Sequence, residues 1–223
     1  MWALLKKDYY INRFIFAALL LGIGAVIILL SIYSGEGSIV VGVMGTLLVP
    51  MLINKFSSTE EMRRNYDFIF NSFPVKRRDI VISKFLYYII VYIVTAIVFG
   101  TLIVCFNKLE GFDINMVLLL EGFMFLYYSF IIAIPNFIYY FFSYEVSVKY
   151  STIITLGIVY VPIILIGLVV RMYPELVNSI KSFVLDSPSG LGRTALLLTV
   201  AGVFVYLIFM ILSIKGYSRR DLN

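Results

Sequence analysis

Residues 55–84 read KFSSTEEMRRNYDFIFNSFPVKRRDIVISK, the longest polar interruption in a chain that otherwise reads as lipid-embedded helix. The stretch holds seven of the eighteen basic residues: Lys55, Arg63, Arg64, Lys76, Arg77, Arg78 and Lys84. Ser58, with Glu61 three positions on, has the form of a capping box, in which a hydroxyl and a carboxylate satisfy orphan amides at a helix start. Met62, Tyr66, Ile69, Phe70 and Phe73 then share one helical face, while Arg63, Arg64, Asp67 and Asn71 fall mostly elsewhere. Pro74 disfavours helix at Phe73 and suits the first turn of a following helix. The pattern predicts a short amphipathic helix, a bend at residues 72–74, and a basic helix running into the next apolar run. Two readings follow. The stretch is an ordinary loop whose charges orient the protein, or it is a docking element for a soluble partner.

Working outward, the composition leaves little room for a soluble domain. The chain has 223 residues, of which 61% are hydrophobic and 14% charged, with a mean hydropathy of +0.99. Soluble domains keep about a quarter of their residues charged. Six spans of about 20 residues each, with their loops, account for the length. The chain therefore reads as one transmembrane domain over residues 1–223. The net charge of +5 is a matter of orientation rather than of nucleic-acid binding.

The apolar runs fall at about 14–33, 39–53, 85–106, 116–142, 150–170 and 194–214. The second is short for a span, so it is expected to continue as helix past Asn54 or to tilt. Before the first run, Trp2, Leu5 and Tyr9 repeat at helical spacing beside Lys6, Lys7 and Arg13. This fits a helix lying in the membrane interface with its aromatics at headgroup level, or a simple polar tail. The first run lacks a small-residue cleavage site and reads as a retained span. Residues 171–193 form the second-longest polar link, with short half-helices expected at the membrane edge. Six spans put both termini on one side. That side carries fourteen of the eighteen basic residues, the other only Lys108, Arg171, Lys181 and Arg193. The positive-inside rule places the termini and residues 55–84 in the cytoplasm. The expected fold is thus all-α: six transmembrane helices, an N-terminal interfacial helix, and a cytoplasmic helix between spans 2 and 3.

The chain carries no catalytic signature. It has no histidine and one cysteine, Cys105. Ser-His and Cys-His nucleophile pairs and His–metal sites are excluded. There is no GxxxxGK[ST] loop for nucleotide phosphates and no HExxH or GxSxG. No metal or catalytic residues are assigned. Glu121 is the one clearly intramembrane ionisable residue. Such a carboxylate costs about 3 kcal/mol at the bilayer centre and less near the edge. Either it lines a cavity or pairs with Arg171, or it snorkels outward or is protonated. Tyr87, Tyr88, Tyr127, Tyr128, Tyr139, Tyr140 and Tyr206 lie in or near spans. They read as an amphipathic cavity wall or, more ordinarily, as interface belts and packing.

The run Asn71-Ser72-Phe73-Pro74-Val75-Lys76-Arg77-Arg78-Asp79-Ile80-Val81-Ile82-Ser83-Lys84, entering the third span, resembles the permease subunits of type-2 ABC exporters. The topology matches over the whole chain, the motif over about fifteen residues; Phe73 stands where the family often has leucine. The resemblance implies that Ser58, Glu61, Met62, Tyr66, Ile69, Phe70 and Phe73 form the coupling helix that seats in an ATPase. It places Lys76, Arg77, Arg78 and Lys84 at the matching membrane-proximal positions. It also implies a separate cytoplasmic ABC ATPase holding ATP and Mg, with no cofactor in this chain, and a second permease subunit, identical or sister. In size and Phe/Tyr/Ile-rich character the chain is similar to short stand-alone permeases of Gram-positive bacteria, such as the membrane subunits of the staphylococcal phenol-soluble modulin exporter. That implies a multi-pass protein of the bacterial plasma membrane moving hydrophobic or amphipathic substrates, with peptides foremost. A non-transporting scaffold or regulatory subunit, and an ion-coupled secondary transporter, are the alternatives.

Overall fold

In the computed structural model, the described residues are 2–33, 36–63, 76–106, 114–142, isolated positions between 150 and 175, and 188–219. They form five long helices: α1 (Trp2–Tyr33), α2 (Glu36–Arg63), α3 (Arg77–Phe106), α4 (Ile114–Phe141) and α5 (Pro188–Arg219). All five are long and apolar enough to cross a membrane. Among the described residues there is no strand. The described positions of the fifth apolar run, including Tyr150, Tyr160 and Leu168, are helical.

Two expected boundaries move. The N-terminal segment is not a separate interfacial helix but the opening turns of α1, which runs unbroken for 32 residues, about 48 Å. No glycine or proline precedes Gly22, and Leu4, Asp8 and Asn12, spaced by four, are buried on one stripe. Tertiary packing thus holds these turns in line with the span. Ser58 likewise opens no helix. It lies within α2, which continues past Asn54 to Arg63. Nothing between Pro50 and Arg63 breaks a helix, and the neighbouring Thr59 hydroxyl donates back to the Lys55 carbonyl at 2.8 Å, as within a continuous helix.

Helix ends show the order of the bundle. Lys7 of α1 meets Glu61 of α2, and Glu61 meets Lys84 of α3, so the chain runs up, down and up through α1–α3. α4 and α5 run parallel. Gly192 faces Asn115, Gly202 packs on Phe125, and Gly216 packs on Phe141, so both chains advance in the same direction. This seam is tight because glycines let the backbones approach. A Cβ on Gly122 would lie 2.7 Å from the Ala195 carbonyl oxygen.

Aromatic rings fill the centre. Tyr92 lies 4.6 Å from Tyr128, which stacks on Tyr206 at 6.1 Å, and Tyr206 meets Phe85 edge-on at 5.2 Å. Tyr88, Tyr128 and Tyr206 are fully buried. These tyrosines are packing rather than a cavity wall. The Tyr206 hydroxyl donates to the Phe85 carbonyl at 2.7 Å, tying α5 to α3. Tyr206→Phe is expected to cost about 0.6 kcal/mol, the usual worth of one such bond between membrane helices, read as a small drop in the unfolding midpoint in detergent.

Candidate functional site: an ion cluster at the basic end

Five helix ends converge at one end of the bundle: the starts of α1 and α3 and the finishes of α2, α4 and α5. Leu4, Lys7 and Asp8 from α1, Glu61 from α2, Ile80, Ser83 and Lys84 from α3, Tyr139 and Tyr140 from α4, and Tyr217 from α5 line a small cleft there. Inside it sit two cations and two carboxylates.

Lys84 is at the centre, with its side chain 5% exposed. Its ammonium donates to Glu61 Oε1 in a short ion pair and to Ser57 Oγ at 2.8 Å, and lies 3.8 Å from Asp8 Oδ1. The Tyr88 ring sits 5.8 Å away. Lys7 bridges from α1, 3.1 Å from both Glu61 Oε1 and Asp8 Oδ1. The four formal charges cancel, and each ion has an opposite partner at contact distance. Buried ions are tolerated on those terms.

Arg77, the first residue of α3, reaches the other way. Its guanidinium donates to the Tyr217 carbonyl at 3.4 Å and lies 5.8 Å from that ring. A cation near the carbonyls of a final helical turn is favourable. Tyr217 packs edge-on against Tyr140 at 5.2 Å, which joins α4 to the same end. The Lys76 carbonyl accepts from the Asp79 amide at 2.8 Å as α3 opens, and the Lys76 and Arg78 side chains are exposed.

The four membrane-proximal basic residues therefore divide. Lys84 and Arg77 point into the bundle, while Lys76 and Arg78 point out. Glu61 is an ion-pair partner, not the second half of a capping box. Ser58 is half-buried on α2 beside it. Met62 lies in the last turn of α2, and Tyr66, Ile69, Phe70 and Phe73 lie outside the described residues.

Glu121, on α4, is half-buried away from this end. The Tyr92 hydroxyl of α3 lies 3.2 Å from its Oε2 and 3.3 Å from its backbone carbonyl. Arg171 is exposed, and among the described residues no ion pair joins it to Glu121. Glu121 is thus met by Tyr92, and also by Thr46 of α2, partners that sequence spacing has no means of singling out.

Lys7, Asp8 and Ser57 were not anticipated. One signal was available: Asp8 is the only acidic residue before Glu36, and it shares a helical stripe with apolar Leu4. An acid on an inward stripe at a helix start calls for a buried cation. Among the described residues no group of three or more His, Cys, Asp or Glu side chains is placed to hold a metal.

Comparison with known families bears on what this bundle is. The family described as ABC-2 family transporter protein matches residues 3–218, nearly the whole chain. The chain belongs to that family. As an ABC-2 transporter protein it is the membrane component of an ABC transporter, and the family implies an ATPase partner. No curated protein matches the sequence significantly.

Proposed function

We propose that this ABC-2 permease is the membrane subunit of an ATP-driven exporter of the bacterial plasma membrane. In this reading it pairs with a second permease, identical or sister, and each docks a separate cytoplasmic ATPase through the segment Ser58–Phe73, which begins inside α2. The substrate class is hydrophobic or amphipathic molecules, peptides foremost, as in the phenol-soluble modulin exporter that the chain resembles. Six spans with cytoplasmic termini are part of this proposal. The parallel run of α4 and α5 supports it, because the chain between them has to return across the bundle for both to point the same way.

The observation that carries the reading is the ion cluster. Glu61 lies near the start of the proposed docking segment and Lys84 beyond its end, and they are paired with each other and held to α1, Glu61 through Lys7 and Lys84 through Asp8. A displacement of that segment is therefore delivered to α1, α2 and α3 together. ATP-driven closure of two ATPases would act on two such ends at once. It shifts the balance of inward- and outward-facing states only by the difference in its affinity for them.

The test is a purification of tagged protein from its native membrane in mild detergent, beside a Phe70→Asp/Phe73→Asp variant. A P-loop ATPase is expected with the parent protein and at least tenfold depleted with the variant, about 1.4 kcal/mol in binding. If no ATPase accompanies the parent at any detergent strength, the exporter reading falls, and a scaffold or a secondary transporter replaces it.

A further inference from the structure

The outer face of the first four turns of α1 is chemically unlike the inner one. Inward, Leu4, Asp8 and Asn12 are buried. Outward stand Trp2, 80% exposed, Tyr9, Tyr10 and Phe14, 74% exposed, with Lys6 and Arg13 among them. These two cations differ from Lys7 beside them. Lys7 meets two carboxylates, whereas among the described residues no carboxylate meets Lys6 or Arg13. They rest on rings instead. The Lys6 ammonium lies 5.8 Å and the Arg13 guanidinium 5.2 Å from the same Tyr10 centroid, and Arg13 lies 4.6 Å from Phe14. Tyr9 braces Tyr10 edge-on at 5.9 Å.

We infer that Lys6, Tyr10 and Arg13 form a headgroup site for an anionic glycerophospholipid. Two cations converging on one ring leave their outward donors for a single phosphate. Arg13 supplies a planar fork suited to phosphate oxygens, and Lys6 a point charge. The depth fits. The apolar run of α1 begins at Phe14, so Arg13 sits at the hydrocarbon edge and Lys6 about two turns outside it, where long basic stems and aromatic rings reach the interface. The patch lies at the same end as the Lys84 cluster, but on the opposite face of α1. The site does not depend on the transport reading above.

The experiment uses the intact protein in nanodiscs of phosphatidylcholine containing phosphatidylglycerol, followed by release into detergent and native mass spectrometry of retained lipid. The parent protein is expected to retain phosphatidylglycerol preferentially, and less so as salt is raised. Lys6→Gln/Arg13→Gln is expected to weaken that retention about thirtyfold, at roughly fivefold per cation. Lys76→Gln/Arg78→Gln, which removes the same charge from another exposed place, is expected to retain it. Both pairs are exposed, and size-exclusion profiles check their folding. Equal retention of the two lipids by the parent, or equal loss in both variants, would overturn the proposal. So would loss of a co-purifying protein from Lys6→Gln/Arg13→Gln with lipid retention unchanged, since the face would then belong to a protein.

Discussion

Lys84→Met is expected to destabilise the protein by about 3–5 kcal/mol, the cost of leaving a buried charge without its partner. Methionine keeps the length and much of the volume of the lysine, so packing loss is minor. What changes is the charge balance. Asp8 and Glu61, with side chains 2% and 11% exposed, would share Lys7 alone, and Ser57 would lose its donor. Fluorescence-detected thermal unfolding in detergent should show a large drop in midpoint or no folded peak. The decisive comparison is the double variant Glu61→Leu/Lys84→Met. It removes one cation and one anion and leaves Lys7 and Asp8 as a 3.1 Å pair. Balanced apolar replacement of buried pairs is often neutral or better. The double variant should therefore be more stable than either single one. A double variant as poor as Lys84→Met would show that geometry, not charge, holds this end together.

Gly122→Leu is expected to cost about 3 kcal/mol, at the upper end for overpacking. The obstacle is backbone: the Ala195 carbonyl oxygen at 2.7 Å, with its carbonyl carbon and Cα both at 3.3 Å. A side chain can rotate away from a new methyl, but a helix has to shift as a whole. α4 would separate from α5 along their longest contact. Gly22→Ala and Gly100→Ala serve as controls, because nothing lies within 4 Å of a Cβ at either place. Both should be neutral or up to about 1 kcal/mol stabilising, as alanine is the better helix former. Thermal midpoints that do not separate Gly122→Leu from these controls would refute the tight seam.

Much of this architecture was legible from apolar runs. The run at 116–142 appears as Ile114–Phe141, and the short second run does continue as helix, to Arg63. A hydrophobic run is a local property, and local properties read well. The errors came where partners distant in sequence decide the outcome. Ser58 and Glu61 have the spacing of a cap, yet Glu61 answers to Lys84 and Lys7. The first thirteen residues have the composition of an interfacial helix, yet Asp8 is drawn inward by a lysine 76 positions away. For the tyrosines, composition leaves cavity wall and packing both open, and the burial of Tyr88, Tyr128 and Tyr206 decides for packing. The motif that pointed to the family contributed Lys84 itself, and only the structure shows that it faces inward while Arg78 does not.

The order of the four clustered charges along the chain bears on how the protein is made. Lys7 and Asp8 are neighbours and already form a 3.1 Å pair, so α1 can reach the bilayer from the ribosome with its inward charges neutralised. Glu61 and Lys84 follow 23 positions apart and form their own pair as soon as α2 and α3 can touch. Translation thus delivers two neutral units in succession, and neither depends on the other for its charge balance.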